Sequence, residues 1–161
     1  MTTAAFGESL ATMLLTRYTR QGYLFRPLLI GGNWPTVDIY AEVISEPGVL
    51  CFLQVKATEL AVGKRKALLP VAVSQQGLNR LAQFHAPSYV VGVAVDTQNS
   101  LASKAYLAAV RGEYATGWRG LPTKYELNEE NLIRLRDDVV TFWKQTNTLV
   151  VKAHQASTFL L

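Results

Sequence analysis

Residues 36–58, "TVDIYAEVISEPGVLCFLQVKAT", read as a β-hairpin around which the rest of the chain can be arranged. In "TVDIYAEVI", Val37, Ile39, Ala41 and Val43 alternate with Asp38, Tyr40 and Glu42, the period-two pattern of a strand with one buried face. "SEPG" supplies a tight turn, so "VLCFLQVKAT" should return antiparallel. In the returning strand Cys51, Leu53, Val55 and Ala57 form a plain core face, whereas Leu50, Phe52, Gln54, Lys56 and Thr58 point the other way. That second row carries an amide and an ammonium among apolar neighbours. An unpaired buried ammonium is costly, so something should lie opposite Lys56.

On the N-terminal side, residues of about 4 to 20, "AAFGESLATMLLTRYTR", predict a helix with Phe6, Leu10, Met13 and Leu14 on its buried stripe and Gly22 as its stop. "YLFRPLLI" is extended and "GGNWP" is a turn. On the C-terminal side, "LLPVAV" is a short extended piece, and Ser74 caps a helix through "QQGLNRLAQF". "YVVGVAVD" is uniformly apolar, the pattern of a strand covered on both faces. "SKAYLAAVRG" fits strand better than helix, and "NEENLIRLRDDVVTFWKQ" is an amphipathic helix with acids in its first turn. The apolar tail "TLVVKAHQASTFLL" predicts an edge strand or a surface for a second subunit. Together these elements predict an α/β fold, a mixed sheet flanked by helices, with a C-terminal helix and tail.

The 161 residues fit one domain, and 49% hydrophobic with 17% charged residues places the chain among globular proteins. Its apolar runs are far shorter than the roughly 20 residues that span a bilayer, and the N-terminus lacks the pattern of a secretory signal, so a cytoplasmic location is the expectation. One cysteine and two histidines exclude a disulfide framework and a Cys/His zinc site within one chain. Any metal must therefore be held mainly by oxygen, which favours magnesium, manganese or calcium. The net charge is +4, and Lys56, Lys64, Arg65, Lys66 and Arg80 against Glu59 account for all of it. "GKRK" is then either a solvated turn or a phosphate-contacting loop.

If the hairpin pairs as drawn, Asp38 lies beside Gln54 and Lys56 and is a natural partner for the lysine. A carboxylate, an amide oxygen and a lysine on one sheet face, with Glu8 on the preceding helix, form a site for a hard divalent cation. Phosphodiester hydrolysis needs such a cation to polarise the phosphate and activate a water, and a lysine to position that water and offset developing charge. The plainer alternatives are a structural Asp38–Lys56 salt bridge, a dipole-favoured acid at Glu8, and a strand-pair role for Gln54. His85, His154 and Cys51 carry no chemistry on this reading, and Trp34, Trp118 and Trp143 are core or interface anchors, with Trp34 also placed to stack on a base.

"PTVD", followed sixteen residues after Asp38 by "QVK", resembles the PD-(D/E)XK nuclease superfamily of restriction-endonuclease-like fold, and within it small bacterial domains of unassigned function carrying Gln-x-Lys. The leading helix with an acid, the hairpin and the following helix match that core over roughly residues 4 to 96, with the C-terminal helix and tail, 128–161, outside it. The resemblance implies catalytic roles for Asp38, Gln54, Lys56 and Glu8. Asp38, Gln54 and Glu8 would bind Mg2+ or Mn2+, and the substrate would be DNA or, less often, RNA. Gln75 or Gln76 could face the same pocket, and Lys64, Arg65, Lys66, Gln76 and Arg80 are candidate nucleic-acid contacts. Gln54 departs from the usual acid and brings no charge, which weakens metal affinity, although Mrr-like members carry Gln there. Glu42 could compensate if its strand bends inward. A homodimer is expected, since cutting both strands of a duplex takes two sites. The alternatives are an inactive relative that binds nucleic acid, or an accessory protein of a defence or repair system that docks through the tail.

Overall fold

The computed structural model describes residues 1–30, 34–60, 62 and 67–155, with side chains to residue 146. Helix α1 (Thr3–Leu15) is followed by a small hairpin of β1 (Tyr18–Thr19) and β2 (Gly22–Tyr23). Then come β3 (Phe25–Leu29), β4 (Ile39–Val43), β5 (Leu50–Thr58), β6 (Leu68–Leu69), α2 (Gln75–Gln83), β7 (Ser88–Ala94), β8 (Lys104–Val110), β9 (Leu121–Pro122) and α3 (Glu129–Gln155). Among the described residues the strands form one five-stranded sheet, ordered β3-β4-β5-β7-β8, and a two-stranded β6-β9 sheet beside it. β4 and β5 pair antiparallel, as the hairpin requires. β7 returns parallel to β5 after the crossover through α2, since parallel neighbours cannot be joined by a tight turn. The fold is α/β, a mixed sheet flanked by helices.

Each face of the sheet has its own core. Cys51, Leu53 and Val55 meet Leu10, Ala11 and Leu15 of α1 and Leu132, Leu135 and Val139 of α3. On the other face Val90 and Leu69 pack with Leu78 and Leu81 of α2 and with Leu121. β7 sits between the two cores and is buried almost throughout, which is why its sequence shows no alternation.

The buried stripe of α1 is Gly7, Leu10, Ala11 and Leu15, one position round from the predicted one, and Met13 is 60% exposed. Gly7 sets that rotation: a Cβ there would lie 2.6 Å from the Ala57 Cβ, so only glycine lets α1 rest this closely on β5. The helix ends at Leu15 rather than near residue 20. Thr16 turns its hydroxyl back onto the Thr12 and Met13 carbonyls, and Gly22, at φ +87°, serves the hairpin instead of a helix stop. Ser74 caps α2 as predicted, its hydroxyl accepting the Gly77 N–H at 3.0 Å.

The edge strand predicted for the tail is replaced by helix through Gln155, a stretch that includes His154. No glycine or proline occurs between Gln145 and Gln155, so nothing in that stretch breaks α3. Residues 156–161 lie outside the described residues.

Candidate functional site

The site forms where β4 leaves β5. Ile39 is the first residue of β4, and Thr36 just before it has φ +86°, a conformation that L-residues with branched side chains rarely adopt. This reversal sends Val37 into the α2-side core, away from Ile39, Ala41 and Val43, with which alternation had grouped it. It also turns Asp38 into the ladder. The Asp38 N–H donates to the Leu53 carbonyl at 3.0 Å, and its carboxylate accepts the Val55 N–H at 2.6 Å. Asp38 thus grips β5 on both sides of Gln54, using its side chain where a continuing strand would have used backbone.

Gln54 projects from β5 toward α2. It is 7% exposed, and its Oε1 is buried with no hydrogen-bond partner among the described residues. The nearest landmark is the first turn of α2, where a Cβ built on Gly77 would lie 3.9 Å from that oxygen. A buried amide oxygen without a donor costs about 1–3 kcal/mol. Lys56, two residues on, is half-buried on the same face, and its register neighbour Gly92 is covered by Leu69, Val71 and Leu121.

Glu8 approaches from the opposite face, on the turn of α1 seated by Gly7. Its carboxyl is held above the ordinary carboxylate range, first by burial and then by the negative charge of Asp38. Two acids therefore lie within each other's field at the strand fork, one from the helix and one from the sheet.

The structure corrects several expectations. Among the described residues Lys56 makes no ion pair, so the Asp38–Lys56 bridge is absent. The reason is that the Asp38 carboxylate is turned onto the Val55 N–H. Glu42 does not bend inward: it accepts the Gly48 N–H at 3.0 Å and pairs with Arg26 at 3.6 Å, stabilising the turn and the sheet edge. Gln75 donates to the Tyr114 carbonyl at 3.0 Å, away from Gln54, and Gln76 and Arg80 are exposed on α2. Lys64, Arg65 and Lys66 lie outside the described residues. Cys51 is fully buried and burial pushes its thiol up, so it is no nucleophile.

Sequence reasoning missed a polar cluster on the neighbouring strands β7 and β8 and helix α3. A cavity of about 410 Å³ between α2, β7, β8 and α3 is lined by Ser88, Tyr89, Arg111 and Asp138. The Tyr89 hydroxyl donates to Asp138 at 2.5 Å, and Arg111 lies 3.8 Å from the same carboxylate. These groups satisfy one another, and no spacing in the sequence joins residues so far apart.

The oxygen donors around the fork are the acids Asp38 and Glu8, with the Gln54 amide oxygen on the α2 side of β5. Among the described residues no three His, Cys, Asp or Glu side chains converge on one point. All three donors are hard oxygens, the chemistry that suits Mg2+ or Mn2+, and the orphaned Oε1 and the paired acids are both features that a cation would relieve. Asp38 and Glu8 have the donor chemistry that suits such an ion, with a lower charge than a three-carboxylate site. No helix among the described residues is long and apolar enough to cross a membrane. No family model matches the chain, and neither a curated protein nor a solved structure matches it.

Proposed function

We propose that the protein is a metal-dependent nuclease of the PD-(D/E)XK kind, hydrolysing phosphodiester bonds in DNA at the β4–β5 fork. The observation that supports this most is the buried Gln54 Oε1, unpartnered among the described residues, on the strand that Asp38 grips, with Glu8 in the field of Asp38. The unpartnered oxygen and the closeness of the two acids each cost free energy in the protein alone. A hard cation held by Asp38 and Glu8, with the Gln54 oxygen turning toward it, would offset both.

When bound, such a cation supplies Lewis acidity and lowers the pKa of a coordinated water. The chain's own residues do the rest. Asp38, fixed by Val55 and Leu53, orients the donor set. Lys56, with no acid partner among the described residues, holds its positive charge for the phosphate. It orients the attacking water and offsets the charge that grows on the non-bridging oxygens.

The test is cleavage of supercoiled, linear, single-stranded and branched DNA in Mg2+ or Mn2+, with chelator and Asp38→Asn as controls. Cleavage lost in both controls supports the reading. A folded protein that cuts no substrate but binds DNA would point to a non-catalytic relative, a reading favoured by the low charge of the donor set.

A further inference from the structure

We infer that the aromatic patch beside the fork is a stacking platform for an unpaired base, so that the preferred substrate is single-stranded or locally unpaired DNA; this rests on the nuclease reading. The patch consists of Trp34, Tyr40, Phe52 and Phe84. Trp34 is 49% exposed, and its ring lies within 4° of parallel to Phe84, with centroids 6.4 Å apart. Phe52 touches both rings, at 6.4 Å from Trp34 and 4.9 Å from Phe84, and Tyr40 adjoins Phe52 at 6.2 Å.

The position of the patch follows from strand register. Phe52 and Gln54 are two residues apart on β5, and both side chains face α2, Phe52 at its C-cap and Gln54 at its first turn. Tyr40 is two residues beyond Asp38 and pairs directly with Phe52. Two strand residues span about 7 Å, so a ring on the platform has its attached phosphate within reach of the Asp38, Gln54 and Lys56 group.

Charge on this face selects the occupant. Lys56 is unpaired among the described residues; of the two acids flanking Tyr40, Glu42 is paired with Arg26 and the Asp38 carboxylate is turned onto the Val55 N–H. A flat π-face with an unpaired cation further along the same strand complements a nucleotide, whose base stacks while its phosphate reaches toward the ammonium. Bases inside a duplex are already stacked on their neighbours, so only an unpaired one can present its face to Trp34.

The experiment measures fluorescence anisotropy of a labelled oligothymidylate and of a duplex of equal length. Chelator is present throughout, so binding is read apart from cleavage. Wild type is compared with Trp34→Ala and Trp34→Phe, each checked for folding by circular dichroism. Trp34→Ala should bind the single strand roughly 5- to 100-fold more weakly, Trp34→Phe should bind nearly as wild type, and duplex binding should not change. Equal single-strand affinity of all three proteins overturns the inference. Cleavage in Mn2+ is assayed in parallel. Cleavage without a Trp34 effect leaves the nuclease reading standing alone, a Trp34 effect without cleavage leaves the platform standing alone, and neither binding nor cleavage removes both.

Discussion

Replacing Asp38 by alanine removes two things at once, and the structure allows them to be separated. The Asp38 carboxylate is the acceptor for the Val55 N–H, at 2.6 Å, and Val55 is only 8% exposed. β4 begins at Ile39, and the Asp38 carbonyl already accepts the Ile30 N–H, so the ladder supplies no replacement acceptor. Asp38→Ala should therefore cost about 1–3 kcal/mol through the stranded N–H. For a chain of this length that is a fall in melting temperature of roughly 3–10 °C. Asp38→Asn keeps an oxygen in place and loses only the charge assistance, about half the bond's strength, so its loss should stay near 1 kcal/mol. Both variants remove the charge that helps hold up the Glu8 carboxyl. The assay is urea unfolding of the three proteins, together with an NMR titration of Glu8, whose midpoint should fall in both variants. Equal destabilisation by Ala and Asn, or a Glu8 midpoint that stays where it was, refutes the fork geometry and with it the metal site.

Glu8→Gln should stabilise the protein at neutral pH. A carboxyl held above its ordinary range costs stability as pH rises from that range through the folded value, so the gain should vanish in acid, below both values, when unfolding is followed by urea at several pH values. Gly7→Ala should destabilise by about 1–3 kcal/mol, because its Cβ meets Ala57 at 2.6 Å. If α1 were not seated there, the same change would stabilise by about 1 kcal/mol through helix propensity, and thermal melting distinguishes the two signs. Thr36→Gly should gain about 1 kcal/mol by relieving the φ of +86°; a loss would mean that the threonine side chain holds the turn. Gln54→Glu should raise Mn2+ affinity in calorimetry and lower stability without metal, because it adds a third acid in a buried position; unchanged affinity would exclude Gln54 as a ligand.

Much of the layout was legible because it rests on local periodicity. The alternation in residues 37–43 and 51–57, the Ser74 cap and the unbroken apolar run of β7 each predicted an element that the structure contains. What failed did so where backbone geometry overrode pattern. The period-two rule placed Val37 with Ile39, but β4 begins only at Ile39, after the positive φ at Thr36, and Val37 lies in the opposite core. Helical periodicity placed Met13 inside, but the contact of Gly7 with Ala57 rotated the helix.

The candidate site divides in the same way. Asp38, Gln54, Lys56 and Glu8 could be named from the sequence, because acids and amides are unusual in apolar strands and the hairpin spacing aligns them. Their partners could not. Whether Asp38 would meet Lys56 or Val55, whether Gln54 Oε1 would find a donor, and whether Glu42 would turn inward depended on where two strands part and how closely a helix settles on them. The order and type of the main elements, and the short list of candidate side chains, follow from local propensity and alternation and so belong to the sequence by itself. The grip of Asp38 on β5, the field between two acids on separate elements and the meeting of Trp34 with Phe52 and Phe84 were decided only in the tertiary structure. They arise from contacts between residues distant in the chain, where close packing and hydrogen-bond satisfaction choose among arrangements that the local pattern allows equally.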